Sequence, residues 1–297
     1  MSIIKSLSVG NGDMFYINHN TDNFTVIDCC YSDEENQKAI YEEIRPLYNA
    51  KGISRFISTH PDEDHIRGIA DFDDEMKIYN FYCVENKAIK EDESESFKKY
   101  CKLRDSDKAY HVYAGCKRRW MNQSDKERGA AGINFYWPIL DNPKFQEALG
   151  RVKEGRDFNN ISPIFTYSLQ DNVVAMWMGD IEKDFLDLVK DEIDWPKIDI
   201  LFAPHHGRDS GKVPTDILDK LDPKIIVIGE APSEYLNYYN GYNTLTQNST
   251  GSITFDCVNN YVHVYTEKSS YAYDTSFLID LYKSNLSDAY YLGSFVP

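Results

Sequence analysis

No stretch of this sequence approaches the roughly 18 consecutive apolar residues that a membrane-spanning helix needs. The first residues, Met-Ser-Ile-Ile-Lys-Ser-Leu-Ser, also lack the apolar run and cleavage site of a secretory signal. Both absences predict a cytoplasmic protein with no membrane partner. The six cysteines, at 29, 30, 83, 101, 116 and 257, have no Cys-x-x-Cys spacing, so they indicate neither a thiolate metal site nor a redox pair. In a reducing compartment they read as free, mostly buried thiols. Positive charge is scarce: 32 Lys and Arg stand against 48 Asp and Glu, a formal net charge of −16. That balance argues against gripping long duplex DNA over the whole surface, because Lys and Arg contacts to phosphate supply most of such affinity. A small phosphoester, a single strand in a local basic groove, or a basic protein partner stays compatible. Repeats and low-complexity linkers are missing as well.

What is present is a core-building composition. Of 297 residues 42% are hydrophobic and 14% aromatic, with 22 Tyr, which marks a packed globular chain and not a disordered one. One domain spanning 1–297 is expected, large enough to bury a substantial core.

Short apolar runs at 2–9 and 13–18 flank Gly10-Asn11-Gly12-Asp13 and predict strand, turn, strand. A further strand runs from Phe24 to Ile27 and ends in Asp28. Ile40, Ile44 and Leu47 at helical spacing predict a helix over 33–48 that Pro46 should end or kink. Arg55–Ser58 then reads as a buried strand delivering Thr59 and His60. Residues 87–132 are densely charged with weak periodicity and carry Lys117-Arg118-Arg119 beside Trp120; they predict a helical insertion or lid on the core. Beyond it come strands at 133–137, 163–169, 173–178, 198–203 and 224–228, with a turn at Gln170-Asp171-Asn172. Helices are expected at 143–149, 181–190 and 214–221, and a closing hairpin at 252–265 turns at Asn259-Asn260. Two stacked αβ halves, a layered α/β fold, follow from this order.

The segment His60-Pro61-Asp62-Glu63-Asp64-His65 sets two imidazoles and well-spaced carboxylates in a strand-to-helix loop. Metal ions need several lone-pair donors gathered at little ordering cost, and such a loop does that. The plainer reading is a helix N-cap at Asp62 or Asp64 with incidental histidines. Two later clusters tip the balance towards metal. Met178-Gly179-Asp180 and Pro204-His205-His206-Gly207 each follow an apolar run, so all three lie at strand ends.

With these residues the sequence resembles the metallo-β-lactamase superfamily, in the branch seen as the hydrolase domain of bacterial DNA-uptake competence proteins and in choline-phosphate esterases. Ser8-Val9-Gly10-Asn11-Gly12-Asp13 is similar to that branch's opening turn, and Val26-Ile27-Asp28 to its strand ending in Asp. His60–His65 resembles the superfamily's HxHxDH motif in the form HxDxDH. Gly179-Asp180 and His205-His206-Gly207 resemble its later ligand motifs, and Thr246–Ile253 its closing segment with Gln247 in place of Asp. Two departures stand out: Asp62 replaces a His, and no His lies between His111 and His205. Asn159-Asn160-Ile161-Ser162 occupies that interval and looks like the branch's Asn-x-Ser motif. Asn160 there would either contact metal, water or substrate, or cap the turn.

The resemblance implies an αββα sandwich and two divalent ions, Zn or Mn. His60 and Asp62 would hold one ion; Asp64, His65 and a C-terminal His, His206 ahead of His205, would hold the other, with Asp180 bridging. Asp64, His205 and Asn160 are the candidate catalytic residues, His205 as a hydrogen-bond partner of substrate. Asp28 would orient ligands from behind; Asp13 would either do the same or serve only as a turn residue, the turn being the first reading. The implied activity is phosphodiester cleavage, as a phosphodiesterase or nuclease using a metal-bound hydroxide. Lys117, Arg118, Arg119 and Trp120 would either offer phosphate contacts and a stacking face or form a solvated charged surface, the commoner role of such a run. The alternative is a metal-bearing regulatory or interaction subunit without turnover.

Overall fold

The computed structural model describes residues 1–168, 173–258, 260–270 and 274–297. Strand β1 (Ser2–Ser6) pairs antiparallel with β2 (Phe15–Asn18), which pairs antiparallel with β3 (Asn23–Ile27). The chain then crosses over through α1 (Glu34–Asn49) to β4 (Ile53–Ile57), parallel to β3. Asp33 caps α1 by accepting from the Asn36 backbone N–H at 2.8 Å, and Glu34 and Glu35 sit in its positive first turn. Pro46 falls in the last turn of this helix, which ends at Asn49, close to where the sequence places its end. It deletes one N–H near the end, but the Ala50 N–H still reaches the Pro46 carbonyl, and Tyr48 packs edge-on to Phe24 and Phe72. Tertiary packing holds the last turn.

After β4 come α2 (Glu63–Ile66), α3 (Ile69–Met76) and β5 (Phe81–Cys83), then α4 (Glu95–Arg104) and β6 (Ala109–His111). Strands β4, β5 and β6 are parallel neighbours. Residues 87–132 are therefore tied into the sheet more closely than a lid would be: α4 is a crossover and β6 is an edge strand. The rest of the segment folds back on itself. Arg118 lies over the Tyr82 and Tyr110 rings, Arg119 lies over Trp120 and pairs with Asp125, and the Trp120 indole N–H also donates to Asp125. Within the basic run Arg118 is engaged against the two tyrosine rings, whereas Lys117 and Arg119 are exposed, Arg119 while paired with Asp125.

The second sheet is β7 (Ile133–Trp137), β8 (Ile164–Ser168), β9 (Val174–Trp177), β10 (Ile200–Phe202), β11 (Ile225–Ile228) and β12 (Thr244–Thr246) in that spatial order. Helices α5 (Pro143–Lys153), α6 (Lys183–Val189) and α7 (Thr215–Leu221) lie between its strands in sequence, and α8 (Gln247–Thr250) follows β12. The expected turn at Gln170-Asp171-Asn172 lies outside the described residues. Finally β13 (Ile253–Val258), β14 (Tyr261–Thr266) and β15 (Tyr290–Phe295) return to the first sheet, β13 pairing antiparallel with β1. Of the hairpin's expected turn, Asn259 lies outside the described residues.

Aromatic contacts show how the layers stack. Phe15 meets Trp177 and Phe202, and Phe202 meets Phe255, so the two sheets face each other. On the outer face of the first sheet Phe72 packs against Phe56; on that of the second, Trp137 packs against Phe145 and Phe185. The result is an αββα sandwich, as the sequence implied. Its parallel strands β3 and β4 point the same end towards one edge of the first sheet, and β9 and β10 do so in the second. Loops leaving these carboxyl ends can meet there, where ligand sites in open α/β sheets form.

Candidate metal centre

Four strand ends supply the site. Asp28 follows β3 in a left-handed conformation (φ 53°), which turns its carboxylate inward. There it accepts from the Thr59 N–H at 2.8 Å, from the Thr59 hydroxyl at 2.6 Å and lies 2.8 Å from His65 Nδ1. This fixes the His65 ring with Nε2 aimed away from Asp28, the expected orienting role. Thr59 Oγ1 also lies 3.1 Å from His60 Nδ1, and Ser162 Oγ lies 3.4 Å from the same atom.

Asp62 does occupy the N-cap position of α2, but its side chain makes no capping bond. Its Oδ2 instead lies 3.5 Å from His60 Nε2, and its Oδ1 3.5 Å from the Lys90 ammonium. Asp180 follows β9 after Gly179 and is the hub. Its Oδ1 is 3.0 Å from His65 Nε2, and its Oδ2 is 3.5 Å from His206 Nε2, 3.7 Å from His205 Nε2 and 4.0 Å from His60 Nε2. Asp64 Oδ2 completes one group at 3.3 Å from His206 Nε2. Separations of 3.0–3.5 Å between donors from Asp64, His65, Asp180 and His206 suit one divalent ion with ligand bonds near 2.0–2.2 Å.

Buried His60 Nε2, His65 Nε2 and Asp180 Oδ1 make no hydrogen bond. His65 Nε2 and Asp180 Oδ1 are close without being aligned to bond each other. Buried polar atoms are almost always paired, and three such atoms converging without a well-aligned hydrogen bond are what a cation would satisfy. The donor set of imidazole and carboxylate fits zinc or manganese.

Asp13 corrects a sequence expectation. It is more than a turn residue: its Oδ1 lies 3.1 Å from His206 Nδ1, off the angle of a good hydrogen bond but close enough to orient the ring. Asp13 with His65, Asp180 and His206 forms a buried group whose donor atoms lie within 4.8 Å of one another. Asp13–His206 thus matches Asp28–His65 across the centre. Asn160 is the second correction. Its amide donates to Glu182 at 2.8 Å and accepts from the Glu182 N–H at 3.1 Å, so it braces the loop after Asp180 and does not face the donors. Its motif partner Ser162 is the one at the site, accepting from the Asp180 N–H at 3.2 Å. His205 is oriented by Ser210, whose hydroxyl lies 2.9 Å from His205 Nδ1. Of the residues expected to gather, His60, Asp62, Asp64, His65, Asp180, His205 and His206 do so. Thr59, Ser162 and Lys90 are the members sequence reasoning missed; hydroxyl and ammonium side chains beside a ligand motif have no spacing signature of their own.

No family profile and no curated protein matches the chain. Among solved structures, it is similar to the crystal structure of a long form RNase Z from yeast, at 9% identity and a TM-score of 0.43 over 82% of this chain. The match takes in 40% of that structure's length. No helix among the described residues is long and apolar enough to cross a membrane.

The electrostatics set up an exchange of protons for metal. Burial opposes a charged His206, but Asp180, Asp13 and Asp64 outweigh it and push its pKa up to about 10. Burial likewise opposes a charged His65, and Asp180 and Asp28 raise it well above the ordinary imidazole value. His60 goes the other way, down to about 3, through burial and the neighbouring His65. Without a cation, then, the Nε2 atoms of His65 and His206 carry protons near neutral pH. For His206 the raised folded-state value means that its stabilisation is complete below the unfolded imidazole value of ~6.5 and is lost as pH climbs through about 10. A metal ion held at these nitrogens would have to displace those protons. Titrating zinc calorimetrically at pH 7 in buffers of different ionisation enthalpy should report about two protons released per tightly bound ion, with affinity rising up to pH 10. Buffer-independent heats would refute the arrangement.

Proposed function

We propose that this protein is a metal-dependent hydrolase of the metallo-β-lactamase superfamily that cleaves phosphoester bonds, as a phosphodiesterase or nuclease, at a centre of two divalent ions. The observation that carries the reading is the convergence of the unpaired, buried His60 Nε2, His65 Nε2 and Asp180 Oδ1 at the meeting of four strand ends. Asp64, His65, His206 and Asp180 would hold one ion, and His60, Asp62 and Asp180 the other. Bound there, divalent ions would supply an activated water and neutralise charge building on a phosphoryl oxygen.

The chain's own residues set the conditions for that step. Asp28 and Asp13 keep the Nδ1 side of His65 and His206 turned away from the ions, leaving Nε2 as donor. His205 is partly open to solvent, at 15% exposure, and its ring is aimed at Asp180 by Ser210, so it is placed to hydrogen-bond a substrate oxygen. The net charge of −16 counts against a long duplex and leaves a small diester or a short single strand as the substrate classes this reading favours. The test is a screen of metal-reconstituted protein against bis(p-nitrophenyl) phosphate, cyclic nucleotides and single-stranded oligonucleotides. Metal bound with no hydrolysis of any of them would favour the interaction-subunit reading.

Metal choice follows from Asp62. A carboxylate where an imidazole is usual shifts that position to harder, oxygen-rich ligation, which suits Mn²⁺ better than an all-histidine set would. Zn²⁺ nonetheless outcompetes Mn²⁺ for most mixed sites when both are present, so purified protein can carry zinc while manganese supports the faster rate. After stripping and reconstitution, the parent should turn over fastest with Mn²⁺, and Asp62→His should move the preference towards Zn²⁺. A parent that works best with zinc alone, with the variant unchanged, would show that ligand hardness does not decide it.

A further inference from the structure

Lys90 is held by more contacts than a solvated lysine needs. Its Nζ donates to the Pro61 carbonyl at 2.8 Å and sits over the faces of Phe97 and Phe158 at 5.1 and 5.2 Å from their centroids. It lies 3.5 Å from Asp62 Oδ1 and 3.7 Å from Glu63 Oε1, with only 17% of the side chain exposed. The cage is built from three separate segments. Phe97 lies on α4, whose N-cap Ser94 also donates to Glu63 at 2.7 Å, and Ser96 ties the same helix to the Arg67 carbonyl at 2.6 Å. Phe158 opens the turn that delivers Ser162. Upstream, Asn86 braces the loop by bonding Val84, Tyr100, Ala88 and Arg104. An ammonium flanked by two aromatic faces and a carbonyl is strongly localised.

We propose that Lys90 is a fixed counter-cation to Asp62, so that the centre takes up its two ions in unequal steps. The inference rests on the metal-centre reading. One position has four donors, from Asp64, His65, His206 and Asp180. The other has His60, Asp62 and a share of Asp180, and the Asp62 carboxylate already faces an ammonium through Oδ1 while presenting Oδ2 towards His60. An ion entering there gains less attraction from Asp62 and meets the positive charge of Lys90 across it. Lys90 is thus a positioning residue: it fixes which carboxylate oxygen is free and sets how tightly the second ion is held.

The experiment is a Mn²⁺ titration of chelator-stripped full-length protein, with free ion counted by its electron paramagnetic resonance signal. The parent should bind one tight equivalent and a second about tenfold or more weaker. Lys90→Met, which keeps an unbranched chain between the two rings, should tighten the second equivalent by about tenfold and leave the first unchanged. Lys90→Arg should behave like the parent, and Asp62→Asn should remove the weak equivalent alone. A merely structural lysine would loosen both equivalents or neither. Two equally tight equivalents in the parent, an unshifted second equivalent in Lys90→Met, or a weak equivalent that survives Asp62→Asn would each overturn the proposal while leaving the metal centre intact. No Mn²⁺ or Zn²⁺ bound by the parent would instead remove the metal-centre reading itself.

Discussion

Replacing His60 and His65 together by alanine is expected to strip the protein of bound transition metal and, on the proposed phosphoesterase reading, to cut hydrolysis by at least roughly 10²–10³-fold, the scale on which loss of preorganised electrostatic groups acts. The two rings are fully buried and lie 4.1 Å apart between centroids, and each turns an unpaired Nε2 inward. Each proposed ion position loses one of its imidazoles. What remains, Asp62, Asp64, Asp180 and His206, is mostly carboxylate, which holds zinc less well than the mixed set. Asp180 would be left buried with fewer partners, so the metal-free variant should also be less stable than the metal-free parent, in which protonated His65 and His206 offset that charge. Elemental analysis of parent and variant, purified side by side with circular dichroism as a folding control, measures the first effect. Metal content unchanged in a folded double variant would end the assignment of these residues as ligands.

The clustered donors were readable in the sequence because metal-ligand chemistry restricts residue type. Imidazoles and carboxylates bunched at strand ends are rare by accident, and the apolar runs before His60, Asp180 and His205 located those ends. The residues that set the donors' orientation were harder. Asp13 sits in Gly10-Asn11-Gly12-Asp13, a composition that also describes any tight turn, and only the approach of β1 and the loop after β10 brings it 3.1 Å from His206 Nδ1. Asn160 and Ser162 are two residues apart on a short helical turn, so their side chains leave it in different directions; sequence singled out Asn160, and Ser162 proved the inward one. In the fold, short strands escaped notice. β5 and β6 have three residues each, too few for periodicity to register, and β6 is recruited from a charged stretch because its backbone, not its side chains, pairs with β5. Lys117-Arg118-Arg119 was open to two readings in the sequence, a phosphate-facing run or a solvated surface. Charge density alone does not distinguish a guanidinium facing solvent from one stacked on Tyr82 and Tyr110.

Gly179→Ala is expected to destabilise the protein by about 2–4 kcal/mol and to weaken metal binding, although it adds one carbon to a residue with no functional group. Gly179 has φ 53°, a left-handed conformation that costs a Cβ-bearing residue about 1 kcal/mol. A Cβ there would also come within 2.6 Å of Ser162 Oγ, 2.7 Å of Ser162 Cβ and 2.9 Å of Thr59 Cβ. These are not the ends of flexible chains: Ser162 and Thr59 are buried, and relief would require backbone movement, typically another 1–3 kcal/mol of overpacking. The same two residues are those that touch His60 Nδ1, and Ser162 receives the Asp180 N–H. Strain at Gly179 is therefore transmitted to the imidazole and to the shared carboxylate at once. Urea unfolding of the metal-free proteins isolates the stability term, since a lower midpoint at unchanged slope reports native-state destabilisation. Zinc affinity measured on the folded variant then isolates the geometric one. Should both match the parent, the close approach of β9's end to Ser162 and Thr59 does not position the site.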